Sequence, residues 1–165
     1  MDTLEAIAAR HSVREYSDRP VDRATIEKMI DAARRSPTAR NEQPWEFVAV
    51  TDAAMRQRIA ALTDFGKFIA QAPACIAAFC RDTKYYLKDG AAATTTLMIA
   101  AAALGVGTCW VAGDKKAYCS TVAQMLGVPD GFKLIALVAV GYEARPTGPK
   151  QKRPVAEVLH WEKYA

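Results

Sequence analysis

The run from Gly90 to Gly113 contains no charged residue, and it constrains the fold of this chain more than any other segment. Its length alone would permit a membrane-spanning helix. Alanine, threonine and glycine dominate the run, however, and Gly105 and Gly107 interrupt any single helix. We therefore expect an alanine-rich helix over Gly90–Leu104, covered by neighbours on all sides, followed by the buried strand "GVGTCWVAG".

Three further apolar segments predict strands. They are "WEFVAV" from Trp45, "ACIAAFC" from Ala74 and "KLIALVAVGY" from Lys133. The last of these is apolar at nearly every position, which is typical of a strand that is buried on both faces. Because helical patterns separate the strands, the chain is expected to fold as an α/β or α+β sandwich.

Other segments have the periodicity and the end signals of helices. They are predicted over Thr3–Arg10, from a cap at Asp22 to about Ser36, from a cap at Asp52 to about Leu62, and over Lys115–Leu126. Aspartate suits the first position because its carboxylate accepts hydrogen bonds from free backbone N–H groups. Pro37 is expected to stop the second helix. Gly127, followed by Pro129, is expected to end the last one.

The chain has the size of one domain, with 165 residues and a mass of 18.0 kDa. We find no internal repeat and no linker, so residues 1–165 are predicted to form a single domain. After Tyr142 the composition changes, because "EARPTGPKQKRP" holds prolines and basic residues that suit neither a helix nor a central strand. Residues 143–165 are therefore predicted to form a C-terminal arm, whose apolar end could dock on another subunit.

Charge and cysteine content exclude several functional classes. The net charge of +4 is mild for this length and says little about partners by itself. No C-x-x-C pair is formed by the four cysteines, and the histidines lack metal-ligand spacing, so a metal site is not expected. The first residues, "MDTLEAIAARHSVREY", lack the apolar core of a signal peptide. We therefore expect a cytoplasmic protein with reduced thiols.

Four motifs occur in an order and spacing that resemble the FMN-dependent nitroreductase family: "RHSVREY" from Arg10, "SPTARNEQPWEFVAV" from Ser36, "LGVGTCWVAG" from Leu104, and "ALVAVGYEARPTGPKQKRP" ending at Pro154. The resemblance spans almost the entire chain. It implies an α+β fold with a central, mostly antiparallel sheet wrapped by helices, built as an intertwined homodimer with two FMN sites at the subunit interface.

The resemblance also implies a function. The chain would be an FMN-dependent oxidoreductase that transfers hydride from NADH or NADPH, through flavin N5, to a small electron acceptor by ping-pong kinetics. Nitroaromatics, quinones and flavins are the acceptor classes it suggests. No catalytic side chain and no metal are expected, because the cofactor carries the chemistry.

Matching this sequence to the family's motifs, residue by residue, gives a predicted cofactor-binding set. It comprises Arg10, His11, Ser12, Arg14, Pro37, Thr38, Ala39, Asn41, Gln43, Ala112, Gly113, Lys150 and Lys152. The resemblance implies that the N-terminal group and the two lysines bind the phosphate and the ribityl chain. It assigns the loop around Asn41 to the flavin of the other subunit, and the backbone N–H groups of Ala112 and Gly113 to the ring edge.

Residue spacing supports two of these groups independently. In an extended segment alternate side chains point to one side, so Arg10, Ser12 and Arg14 would share a face. Lys150 and Lys152 would do the same, with a register that is uncertain by one residue. For Gln43, simple loop capping is as good an interpretation as cofactor binding.

Other interpretations of the same residues remain open. Trp45 and Trp110 are expected in the core, Cys109 is expected to be a buried inert thiol, and His11 is expected to be structural. One alternative function is a dedicated flavin-dependent dehalogenation or dehydrogenation of one metabolite. Another is a non-enzymatic protein whose basic arm binds nucleic acid, which would be colourless and salt-sensitive.

Overall fold

A computed structural model describes residues 1–164 of the chain. Five α-helices span Thr3–Ala9 (α1), Arg23–Ala33 (α2), Ala53–Leu62 (α3), Tyr86–Ala103 (α4) and Cys119–Met125 (α5). Four strands span Trp45–Val50 (β1), Ala74–Arg81 (β2), Gly107–Ala112 (β3) and Phe132–Gly141 (β4). Short 3₁₀ turns lie at Ala39–Asn41, Lys67–Ala70 and Val155–Glu157.

The strands form one sheet in the order β1-β2-β4-β3, in which every neighbouring pair is antiparallel. Helices α3 and α5 cover one face, while α2 and α4 cover the other. The central strands β2 and β4 are therefore buried along nearly their whole length. This arrangement confirms the predicted α+β fold with an antiparallel sheet.

Helix α4 is the buried helix that the uncharged run predicts. Ala93, Leu97 and Ala101 are fully enclosed between α2 and the sheet. The helix begins at Tyr86, however, four residues before the predicted start at Gly90. The sequence pattern missed this first turn because it includes Lys88 and Asp89, and Asp89 is buried although it is charged.

Both predicted aspartate caps are present. The Thr25 amide donates to Asp22 Oδ1 at 2.7 Å, and the Met55 amide donates to Asp52 Oδ1 at 2.7 Å. Gly127 follows α5 with φ +67°, as a helix-ending glycine should.

Two helix boundaries differ from the prediction. Helix α2 ends at Ala33, and a turn rather than helix carries the chain to Ser36. Helix α5 begins at Cys119 instead of Lys115, because Asp114 and Lys115 take positive φ values of 35° and 58° that cannot continue a helix.

Both tryptophans of the predicted strands were expected to lie in the core. Trp45 is buried, as predicted, whereas Trp110 is half-buried and packs against the core from β3. Across residues 1–164, no helix is both long and apolar enough to cross a bilayer.

Candidate functional site

The segment from Arg10 to Arg14 runs along the open edge of β3. Ser12 forms a parallel bridge to Thr108, and the Val13 amide donates to the Thr108 carbonyl at 3.0 Å. Val13 is buried, while Ser12 and Arg14 are exposed, so the side chains alternate as an extended segment requires. The buried Tyr16 hydroxyl donates to the Val13 carbonyl at 2.6 Å, which holds the segment in this position.

A groove of about 760 Å³ lies between this segment and the C-terminal arm, and we call it the basic groove. Arg10 and Arg14 line it from the edge segment, and Lys150 and Lys152 line it from the arm. Arg153 is not among its lining residues, which agrees with the predicted alternation in the arm. The fold thus brings four cationic side chains from the two ends of the chain to one concave surface.

Two further residues of the basic groove form an ion pair. His11 Nε2 lies 3.2 Å from Glu143 Oε1, and His11 Nδ1 lies 2.8 Å from the Ala9 carbonyl oxygen. The hydrogen bond to Ala9, helped by Glu143, raises the pKa of His11 above 6.5 although partial burial opposes this. Burial also opposes ionisation of Glu143, but hydrogen bonds from Thr147 and His11 outweigh it and lower its pKa.

A second concave surface of about 350 Å³ adjoins the first and shares Arg14 with it; we call it the apolar hollow. Phe65, Phe68, Trp110 and Tyr118 contribute to its lining. The Arg14 guanidinium lies 5.9 Å from the centre of the Phe68 ring, so one cation marks the junction of the two surfaces. A ligand with an anionic end and a flat apolar end would fit this combination.

Ala112 and Gly113 stand at the end of β3 beside the apolar hollow, but their amides differ in direction. The Gly113 amide donates to the Ile135 carbonyl of β4 at 3.0 Å. Because alternate residues of an antiparallel strand direct their amides to the same neighbour, the Ala112 amide faces away from β4, towards the open edge. Only Ala112 of the two therefore presents its N–H towards a ligand on that side.

Packing explains why residue 113 is a glycine. A Cβ atom there would lie 2.5 Å from the Leu134 carbonyl oxygen and 2.7 Å from Ile135 backbone atoms. No side chain fits at that distance, so the glycine permits close contact between β3 and β4. Packing within the chain is thus sufficient to account for a glycine at this position, without any contact to a ligand.

Cys109 lies beside the apolar hollow but is only 1% exposed. Burial raises the pKa of its thiol, although Arg14 acts in the opposite direction. The thiol therefore stays protonated at neutral pH, in agreement with the predicted inert cysteine. Among the described residues, no cluster of histidine, cysteine and carboxylate side chains could hold a metal ion.

The loop before β1 lies apart from both surfaces. The loop leads into β1 at one edge of the sheet, whereas the Arg10–Arg14 segment borders β3 at the other edge. Strands β1 and β3 are separated by three strand spacings, or roughly 14 Å. None of its predicted site residues lines the basic groove or the apolar hollow of the same chain; they are Pro37, Thr38, Ala39, Asn41 and Gln43.

The loop is nevertheless well defined. Asn41 and Gln43 have positive φ values of 57° and 44°, and the Gln43 amide donates to Thr38 Oγ1 at 3.2 Å. The Arg81 guanidinium donates to the Glu42 carbonyl at 2.9 Å and fastens the loop to β2. The Gln43 side chain itself donates from Nε2 to the Asn41 carbonyl at 3.5 Å, a local contact within the loop. Its role as a ligand for the cofactor stays a prediction.

Comparison with known proteins shows which family the chain belongs to. The sequence matches the model of the nitroreductase family over residues 7–74 and 65–142. The chain belongs to the nitroreductase family. The match takes in the edge segment, the loop before β1 and the end of β3, but it stops before the arm residues Lys150 and Lys152.

Individual relatives agree with the nitroreductase assignment. A protein of Archaeoglobus fulgidus, provisionally named NADH dehydrogenase/NAD(P)H nitroreductase, is 33% identical over 149 residues, which cover 86% of this chain and 85% of that protein. A Bacillus subtilis protein named FMN reductase (NADPH) is 22% identical and covers 99% of this chain and 74% of its own length.

A solved structure supports the nitroreductase fold directly. A Parabacteroides distasonis protein, also provisionally named NADH dehydrogenase/NAD(P)H nitroreductase, superposes with a TM-score of 0.92 at 31% identity, covering 98% of each chain. The family inferred from the motifs is thereby confirmed, together with the fold that it implied.

Several residues that line the candidate site were not predicted from the sequence. Glu143 and Thr147 line the basic groove, and Phe65 and Phe68 line the apolar hollow. Nothing local marks Glu143, because it reaches the groove through its bridge to Tyr16, far away in sequence. For the apolar hollow, the signal in the sequence was the presence of Phe65 and Phe68 in the short connection between α3 and β2.

Proposed function

We propose that this nitroreductase-family protein is an FMN-dependent oxidoreductase that transfers hydride from NADH or NADPH to a small electron acceptor by ping-pong kinetics. The acceptor would be a nitroaromatic, a quinone or a flavin. The observation that supports this most directly is the basic groove opening at Arg14 into the apolar hollow. The names of the Archaeoglobus and Bacillus relatives point to the same nicotinamide and flavin chemistry.

The donor set fits the phosphate end of FMN. A phosphate monoester is largely dianionic near neutral pH and is best held by several charge-assisted donors. Arg10, Arg14, Lys150 and Lys152 supply such donors from two sides of the basic groove, and Ser12 lines the same groove. Guanidinium groups add the bidentate geometry that phosphate oxygens favour.

The apolar hollow fits the ring end. Its aromatic and aliphatic lining would remove apolar ring surface from water, and the outward-facing Ala112 amide would donate to the ring edge without titrating. When bound, FMN supplies the hydride acceptor and donor of the reaction. The chain's own residues bind and orient it and exclude water from one face.

His11 is not proposed as a proton donor in the reaction. Both of its ring nitrogens are engaged, one with the Ala9 carbonyl and one with Glu143. Its place in the proposed site is therefore structural, beside the phosphate-binding residues. No other acid or base is required of the protein for this function.

We further propose that the active form is a homodimer with flavin at the subunit interface. The loop at residues 37–43 lies across the sheet from its own groove, so it would act in the site of the partner subunit. Large apolar side chains are exposed on α1 and on the arm, including Leu4 at 76% and Trp161 at 78%. We also propose that residues 1–165 form a single domain and that the arm is part of its cofactor site.

Separated half-reactions test the proposed kinetics. Protein loaded with FMN is mixed anaerobically with NADH or NADPH, and loss of the visible flavin absorbance is followed. The nicotinamide is then removed by desalting, and a quinone is added. Return of the absorbance without any nicotinamide present is the expected result. A requirement for both substrates at once would contradict the ping-pong proposal.

A further inference from the structure

An acidic side chain in the middle of a basic groove needs a physical explanation. Glu143 lines this groove, and one of its carboxylate oxygens, Oε1, accepts three hydrogen bonds. The donors are His11 Nε2 at 3.2 Å, the Thr147 amide at 3.0 Å and the Thr147 hydroxyl at 2.6 Å. The carboxylate thus joins the edge segment, through His11, to the arm, through Thr147.

His11 can make both of its contacts as hydrogen bonds only when the imidazole is charged. Its two ring nitrogens face a backbone carbonyl oxygen at Ala9 and a carboxylate oxygen at Glu143, and both of these groups only accept hydrogen bonds. A neutral imidazole has one N–H and can satisfy only one of them. The two side chains are about four-fifths buried, at 19% and 21% exposure, so water screens the pair less than it would at the surface.

The position of this contact determines where the arm goes. Glu143 is fixed by the bridge between its backbone and Tyr16. Thr147 follows, and Gly148 then takes a φ of +67°, a conformation that suits glycine. The next residues on the same path are Lys150 and Lys152, which line the basic groove.

We propose that Glu143 is a positioning residue, which clamps the arm to the edge segment through Thr147 and His11 and so places Lys150 and Lys152 opposite Arg10 and Arg14. This inference rests on the proposed function, in that the lysines are placed for the phosphate of FMN. The clamp itself is formed by the chain alone.

Simple electrostatics makes the opposite prediction about Glu143. Removing a negative charge from a site for a dianion should strengthen binding. If Glu143 acts as a clamp, its removal weakens binding instead, because the lysines lose their fixed position. The sign of the effect therefore separates the two accounts.

Glu15 offers a matched control. It is a second carboxylate that lines the basic groove, and it pairs with Arg145 of the arm rather than with His11 or Thr147. That pair is mostly exposed, with 78% of the Arg145 side chain and 59% of the Glu15 side chain open to solvent, whereas the His11–Glu143 pair is about four-fifths buried. Exposed pairs of this kind contribute little to stability. Loss of the Glu15 carboxylate changes the charge of the groove by the same amount and leaves the clamp intact.

The clamp has a defined pH window. A raised pKa means that charged His11 stabilises the folded arm fully below 6.5, and that this stabilisation is lost as the pH rises through the raised value. A lowered pKa means that Glu143 contributes above 4.5 and loses its contribution as the pH falls through the lowered value. Arg10 of the edge segment acts against the charged imidazole and lowers the pKa of His11, less strongly than Ala9 and Glu143 raise it. Arg14 and Glu15 beside the edge segment, and Lys150 and Lys152 from the arm, are the other charged residues that line the same groove.

The experiment measures FMN affinity by flavin fluorescence for wild type, Glu143→Met, Glu143→Gln and the control Glu15→Met. At pH 6 we expect Glu143→Met to bind FMN about tenfold more weakly, the usual effect of losing a charged hydrogen-bonded contact. Glu15→Met should bind as tightly as wild type or more tightly. Glu143→Gln keeps an acceptor oxygen, so it should fall between the two.

The pH dependence supplies a second readout. The measured quantity is the FMN affinity of each protein divided by the affinity of Glu143→Met at the same pH. For wild type this ratio should decline between pH 6 and pH 8. For Glu143→Gln it should not decline, because the glutamine amide does not form an ion pair with the charged imidazole. Taking the ratio to Glu143→Met removes the ionisation of the FMN phosphate itself from the comparison.

A third measurement needs no FMN. Amide hydrogen exchange in the cofactor-free protein should be about tenfold faster for the arm around Thr147 in Glu143→Met than in wild type, and unchanged in Glu15→Met. If wild type binds FMN and Glu143→Met binds it equally well or more tightly, the positioning role is wrong. If wild type binds no FMN, the proposed function fails, and unchanged exchange in Glu143→Met would show separately that there is no clamp.

Discussion

Arg14 is the residue on which both halves of the candidate site depend. It lines the basic groove and the apolar hollow, and it is the cation nearest to the Phe68 ring. Its neighbour in the same hollow, Cys109, is buried and protonated. The two residues therefore give opposite expectations for the same kind of truncation.

Arg14→Ala should weaken FMN binding roughly 10- to 100-fold, because a charge-assisted contact to a phosphate contributes about 1.5–3 kcal/mol. Cys109→Ala should leave the flavin content of the protein near that of wild type. Flavin per chain, counted by absorbance after desalting, checks both. Equal retention of FMN in the two variants would show that Arg14 does not hold the phosphate.

At the residue scale, predictions from sequence succeeded where local backbone geometry alone decides which way a side chain points. The alternation of Ser12, Val13 and Arg14, and the shared face of Lys150 and Lys152, follow from the two-residue period of extended chain. Glu143 could not be predicted, because its partner His11 is distant in sequence. The reason for Gly113 was equally hidden, since the contact that excludes a side chain comes from β4.

Helix α4 packs in the core, and the usual effect of replacing a helix glycine by alanine is expected to be reversed at Gly90. Replacing a glycine inside a helix by alanine usually stabilises it by about 1 kcal/mol. At Gly90, however, a Cβ atom would lie 2.6 Å from Ile135 Cγ1 and 2.9 Å from Cys80 Sγ, both buried in the sheet.

We therefore expect Gly90→Ala to lower the free energy of unfolding by about 1–3 kcal/mol, the cost of overpacking a dense core. Thr95→Ala, at an exposed position of the same helix, should leave it unchanged or slightly raise it. Denaturant unfolding of the cofactor-free variants measures both. A more stable Gly90→Ala would mean that α4 and β4 are packed less closely than described.

Element boundaries were predictable where one residue enforces them. Asp22 and Asp52 cap the first turns of their helices, and Gly127 follows the end of α5. Such roles follow from residue type alone. The start of α4 was not predictable in this way, because burial of Asp89 in the first turn depends on tertiary packing.

In the proposed dimer, each cofactor site would contain residues from both chains. The loop containing Asn41 would complete the site of the partner subunit rather than its own. The order of strands in the sheet is what separates the loop from its own groove. Strand order was outside the reach of local sequence patterns, and the structure alone gives it. Assembly as a homodimer came, as an expectation, from the family resemblance alone.

Mixed dimers test this arrangement. Arg14→Ala and Asn41→Ala chains carrying different tags are co-expressed, and dimers holding one chain of each are purified. If the loop acts on the partner, one of the two sites combines an intact groove with an intact loop and should bind FMN like wild type. If the loop acts on its own chain, both sites carry one defect and neither recovers wild-type affinity.

The most direct test of the central claim is the visible absorbance spectrum of the purified protein after excess FMN has been added and removed by desalting. The account predicts nearly one flavin per chain, bleached anaerobically by NADH or NADPH. It also predicts that Arg14→Ala treated in parallel is nearly colourless. A wild-type protein that retains no flavin, or whose flavin neither nicotinamide bleaches, would contradict it.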